Sequence, residues 1–168
     1  HHLNAGAYQM NEVEQSNMAR LRGDFDAGAE AHKKGDNEKA LTECLPMANA
    51  GDSHAQSMVG SLFCLGQGIR QDYSEAAKWY RRAAEQGDLE AQISLGALYQ
   101  EGNGVPRNYP EALRWYELAA QQGSACGQNN LGAMYGKGLG VPRDDVEAAR
   151  WYRLAAERQY VPAQLNLG

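Results

Sequence analysis

Residues 91–126, AQISLGALYQEGNGVPRNYPEALRWYELAAQQGSAC, are the stretch from which the rest of the chain can be read. Ala91, Leu95, Leu98 and Tyr99 stand at i, i+4, i+7 and i+8, one face of a helix. The run Gly102-Asn103-Gly104-Val105-Pro106-Arg107-Asn108 then breaks any regular structure. A second helical stripe follows in Ala112, Trp115, Tyr116, Ala119 and Ala120. It ends at Gln122-Gly123, where glycine suits the left-handed residue that closes a helix. The spacing therefore predicts two helices, 91–101 and 109–122, joined by a long turn.

Outward from this stretch the pattern repeats every 36 residues. Trp79, Trp115 and Trp151 keep that interval, each followed by Tyr, as do Gly60, Gly96, Gly132 and Gly168. Without gaps, 91–126 and 127–162 agree at 18 of 36 positions, and 55–90 and 91–126 at 15. A period of this length marks a stacked array of supersecondary units. The expected pairs are 55–66 with 73–86, 91–101 with 109–122, and 127–137 with 145–158. No long apolar–polar alternation occurs, so strands are not expected. Glycine inside a helix costs about 1 kcal/mol against alanine, so Gly96 beside the stripe implies close approach of the second helix. The paired alanines allow the next unit to come near, and Trp and Tyr fill the wider gaps. Gly68, Gly104 and Gly140 fall where the chain reverses, and at least two of them should have positive φ.

Upstream, 24–54 reads as a shortened capping unit, because Gly28 to Gly60 is four residues short of the interval and Gly35-Asp36 replaces the long turn. Its helices are expected near 24–34 and 37–50. Residues 1–22 form a separate polar segment with at most a weak helix, and His1-His2 resembles a tag remnant. The repeat domain thus spans 23–168. At its end, 163–168 restarts the motif, with Ala163 to Gly168 matching Ala91 to Gly96. The expectation is a further helix there and a longer array beyond it.

The 168 residues carry 21 acidic and 16 basic side chains, a net charge of −5, and no basic run. That argues against nucleic acid as a partner. No apolar stretch approaches the roughly 20 residues of a membrane-spanning helix, so membrane insertion is not expected. Three cysteines cannot build a disulfide framework. Cys44 and Cys64 fall on adjacent helices where a bridge is geometrically possible, but two free, partly buried thiols are the preferred reading. No Ser-x-x-Lys, phosphate loop or zinc-ligand spacing is present. The Gly-x-Gly turns join two helices and are not a dinucleotide fingerprint. Neither a cofactor nor a metal is expected, and no catalytic residue stands out.

The unit Ala-Gln-x-x-Leu-Gly-x-x-Tyr-x-x-Gly-x-Gly-Val followed by Ala-x-x-Trp-Tyr-x-x-Ala-Ala-x-Gln-Gly resembles the Sel-one-like repeat (SLR) family, relatives of the tetratricopeptide repeats. The likeness runs through 55–90, 91–126 and 127–162. Gly127 departs from the alanine of the other units, and Arg158-Gln159 replaces the closing Gln-Gly. The resemblance implies an all-α solenoid of antiparallel helix pairs wound into a right-handed superhelix. It implies a bacterial scaffold that binds a protein or peptide in its concave groove without catalysis. The alternatives are an enzyme acting on cell-wall peptides or antibiotics, and a regulatory subunit of another enzyme. A periplasmic or secreted location follows from the family, with the cytoplasm as alternative. By analogy with tetratricopeptide repeats, the groove positions are Ser57, Ser61 and Cys64, then Ile93, Ala97 and Gln100, then Asn129, Ala133 and Lys137, with His54 and Glu90 at the entrance. This set lacks the Lys-and-Asn cluster that clamps a carboxylate terminus.

Overall fold

A computed structural model describes the backbone of residues 9–166 and the side chains of residues 9–158. Every regular element in it is a helix. The helices are α1 (Glu12–Lys33), α2 (Asn37–Asn49), α3 (Ser53–Leu65), α4 (Tyr73–Glu85), α5 (Leu89–Glu101), α6 (Tyr109–Gln121), α7 (Ala125–Lys137) and α8 (Asp145–Asn166). Each packs on the next, first within the pairs α1–α2, α3–α4, α5–α6 and α7–α8, then from one pair to the following. The short links make neighbours antiparallel. The all-α solenoid expected from the sequence is the observed fold.

Local chemistry sets the ends of these elements. Asp52, Asp88 and Ser124 each accept a hydrogen bond from the backbone N–H three residues on, satisfying a helix donor that would otherwise be unpaired. These caps start α3, α5 and α7 two residues earlier than the apolar stripes alone suggest. Each of the three ends on a left-handed glycine, Gly66, Gly102 or Gly138. The long turn is then closed by a backbone bond at 2.9 Å, Asp72 N–H to Phe63 C=O, Asn108 to Tyr99 and Asp144 to Tyr135. Gly68, Gly104 and Gly140 all have positive φ, as expected.

The core explains the small residues. A Cβ on Gly96 would lie 2.7 Å from the ring of Tyr116, and one on Gly60 2.8 Å from that of Tyr80. The close approach is thus a tyrosine ring laid on helix backbone. In the shortened unit Cys44 takes the tyrosine's place, its Sγ 2.5 Å from where a Cβ of Gly28 would be. Gly127 faces Ala119 and Ala120 of the preceding unit, where a Cβ would stand 2.9 Å from the Ala119 methyl. Trp79 packs back onto Cys44, Met47, Ala48 and Val59, and Trp115 onto Ala76, Tyr80, Leu95 and Leu98. Both are buried, whereas Trp151 is half-buried.

A glutamine relay links the units. Gln92 Nε2 donates to the Ala84 carbonyl at 3.2 Å, and its Oε1 accepts from Gln122 Nε2 at 2.9 Å. Gln56 repeats this with Ala48 and Gln86. Gln128 keeps the bond to Ala120. Its Oε1 is buried without a partner, because Arg158 stands where Gln86 and Gln122 stand.

Two elements depart from the sequence reading. α1 is one unbroken helix from Glu12, so no break falls between residues 22 and 23. Its start is fixed by Asn11 and Glu14, whose side chains each accept from the other's backbone N–H at 2.9 Å. α8 does not end near 158 but continues to Asn166, without the Gln-Gly that closes the earlier units. The backbone of 163–166 therefore belongs to α8 and starts no new helix. The side chains of 163–166, residues 167–168 with Gly168, and His1-His2 lie outside the described residues.

Candidate functional site

Beyond the helices adjacent in sequence, α3 also touches α5, so the first helices of these two successive units meet directly. The first helices α1, α3, α5 and α7 share one face of the array, the face that carries the groove positions expected from the sequence. At its N-terminal part, side chains from three of these helices surround one cavity. α1 contributes Phe25, Ala29 and His32, α3 contributes His54, Ser57, Met58 and Ser61, and α5 contributes Glu90. Phe25, Ala29 and His32 reach it together because i, i+4 and i+7 share a helix face.

The polar groups there are held in distinct ways. The His54 Nδ1 lies 3.2 Å from Oδ2 of Asp88, whose other oxygen caps α5. His54 is itself open to solvent, its side chain 82% exposed. The His32 Nδ1 is 2.8 Å from Oδ1 of Asn37. Ser57 is 3% exposed and its Oγ has no hydrogen-bond partner. Ser61 is half-buried near the Tyr80 hydroxyl, as are Ser94 and Cys64. Burial holds the Tyr80 phenol above its usual range.

Farther along, Ala97 and Lys137 are exposed, and Asn129 and Ala133 are half-buried. Ile93 and Gln100 carry structural contacts. Ile93 packs against the cluster of Ala112, Tyr116, Leu131 and Met134. Gln100 Oε1 accepts from the Tyr116 hydroxyl at 2.9 Å. These two expected groove positions therefore also take part in packing between the helices.

The sequence reading missed Phe25, His32 and Met58 as neighbours of Ser57. The i, i+7 spacing of Phe25 and His32 was the available signal. The thiols are free: Cys44 is buried with its Sγ 3.6 Å from the Met58 Sδ, Cys64 is half-buried and Cys126 exposed. Burial raises both the Cys44 and Cys64 thiols. Among the described residues, no group of three His, Cys, Asp or Glu side chains is arranged to hold a metal ion, and no helix is long and apolar enough to cross a membrane.

A sequence model described as Sel1 repeat matches residues 53–88, 89–124 and 127–160. The chain belongs to the Sel1 repeat family. Sel1 repeats commonly serve as scaffolds for protein interaction. Two solved structures share the arrangement. One is c5321, a protective antigen present in uropathogenic Escherichia coli strains and displaying an SLR fold, at 34% identity and a TM-score of 0.79, over 89% of this chain and 34% of that one. The other is a Sel1 repeat protein from Oxalobacter formigenes, at 35% identity and a TM-score of 0.75, over 80% of this chain and 55% of that one. The chain thus spans about a third and about half of these two Sel1 repeat proteins. No curated protein matches it.

Proposed function

We propose that this chain is a non-catalytic interaction module that holds a peptide or protein segment along its inner face. The observation that carries the reading is the division of labour on the first helices. One side of each is used up by inter-repeat packing, through Ala55, Val59, Leu95 and Leu131. The positions turned inward, Ser61, Ala97, Asn129, Ala133 and Lys137, retain accessible surface and are small or polar. A shallow neutral surface of this kind suits an extended or helical segment held by side-chain hydrogen bonds around small apolar contacts.

The Asp88–His54 pair is the one arrangement here that resembles catalytic machinery. Such a pair orients an imidazole in acyl-transfer enzymes, yet here the buried Ser57 hydroxyl bonds to no imidazole. The test is site-directed photo-crosslinking. A photoreactive residue at Ala97 or Ala133 is expected to capture a partner that one at Lys78 or Arg153, exposed on the second helices, does not. Capture from the second helices alone would move the binding face to the outer side.

A further inference from the structure

The cavity between α1, α3 and α5 has a distinct chemical bias. We infer that it is a pocket for the side chain of an arginine carried by the bound peptide, which deepens the inner-face reading and rests on it. The first observation is an excess of hydrogen-bond acceptors. Glu90 is exposed and makes no ion pair among the described residues. Asp88 occupies the Nδ1 of His54, and Asn37 Oδ1 the Nδ1 of His32. With its Nδ1 donating to the Asp88 carboxylate, a neutral His54 ring presents Nε2 as an acceptor.

The second observation is independent. The Ser57 hydroxyl, within this lining and almost wholly buried, is unpartnered. A buried polar group without a partner is destabilising and is rarely left so, and a donor entering the cavity would satisfy it. The third is the wall: the Phe25 ring and the Met58 thioether offer flat, polarisable surface.

A guanidinium answers all three. It has five N–H donors and no acceptor, always carries a positive charge, and stacks its weakly hydrated plane on an aromatic ring. A lysine ammonium has three donors, holds its water more tightly and cannot stack in that way. A metal ion does not fit, since these side chains are not arranged to ligate one. An anionic group would meet Glu90.

The experiment is an NMR titration of the ¹⁵N-labelled chain with arginine blocked at both ends, as the N-acetyl amide. Its neutral isostere, blocked citrulline, and blocked lysine are titrated alongside, together with free arginine. Amide shifts are expected at Phe25, His32, His54, Ser57, Met58 and Glu90. Citrulline should bind about tenfold more weakly, the loss of one charge-assisted pair. Glu90→Gln should weaken arginine to a similar degree. Ser57→Ala should weaken it without lowering the urea midpoint, because it removes a hydroxyl that has no partner in the free protein.

Equal shifts with citrulline, equal binding of lysine, or no shifts at the solubility limit of the probe would overturn the proposal. Free arginine binding more tightly than the blocked form would assign the pocket to the amino acid, not to a peptide, and overturn it as stated. Failure here is distinct from failure of the inner-face reading. An inert probe with successful crosslinking from residues 97 and 133 removes only the pocket. A bound probe without those crosslinks removes only the groove.

Discussion

Glycine 96 shows how much one missing methyl decides. The ring of Tyr116, only 2% exposed and tied to Gln100, lies on it. Gly96→Ala gains about 1 kcal/mol of helix propensity and forces a buried ring to move, an overpacking cost of about 1–3 kcal/mol. Net destabilisation is expected. Gly132→Ala should cost less, because a Cβ there would stand 3.1 Å from the ring of Tyr152, which is 44% exposed and can yield, and 3.2 Å from the Ala148 carbonyl, against 2.7 Å at Gly96. Gly23→Ala, with nothing within 4 Å, should stabilise. Urea midpoints that fail to follow the order 23, 132, 96 would refute this account of the helix glycines. The thiols give a second test. Cys126 should react with a disulfide reagent in the folded protein, and Cys44 only after unfolding. Burial, then the neighbouring Glu43, lifts the Cys44 thiol from 9.0 to about 11. The folded state then keeps a proton that the unfolded state gives up. That contribution is whole below pH 9.0 and lost as pH rises toward 11. The urea midpoint should fall across this interval, and less so in Cys44→Ala.

At the level of the element, the turns are not equivalent despite their common sequence. A Cβ on Gly104 would lie 2.3 Å from the backbone of Tyr73, at the start of the preceding unit's second helix, and one on Gly140 2.8 Å from that of Tyr109. Gly68 has positive φ too, but nothing stands within 4 Å of it, because the unit before it is the shortened one. Gly68→Ala should therefore cost only the backbone strain, about 1–2 kcal/mol. Gly104→Ala should cost clearly more, and a thermal-melt comparison decides it. The helices themselves were legible wherever the 36-residue interval gave a second copy of the same signal. The two outer helices had that support over only part of their length, 24–34 in α1 and 145–158 in α8. α1 is polar on most sides, and its start rests on the Asn11–Glu14 box, which a search for apolar stripes passes over. α8 runs on where Arg158-Gln159 replaces the residues that end α4 and α6.

Across the whole molecule, stability is a sum of units and the interfaces between them. Trp115 sits at 3% exposure between two complete units, so Trp115→Ala should cost on the order of 3–5 kcal/mol. Trp151→Ala, at a half-buried site, should cost less. Equal urea midpoints would contradict the ranking. The candidate site was less legible than the fold for a reason of the same scale. Its cavity is built from helices far apart in sequence, with Phe25 and His32 from the capping unit and Glu90 from two units on. A repeat alignment compares like positions and says nothing about such junctions. The glutamine relay has a consequence of another kind. Residues 89–124 hold both Gln92 and Gln122, and the unit before them supplies only backbone oxygens, from Ala84 and Gly87. Those oxygens recur at Ala120 and Gly123. The segment is thus a cassette whose two ends match, and a gene carrying it twice in tandem should encode a longer rod with every relay bond made at the new junction. Such a rod should melt at higher urea than its parent and offer one more copy of Ala97 and its neighbours to whatever lies along the inner face.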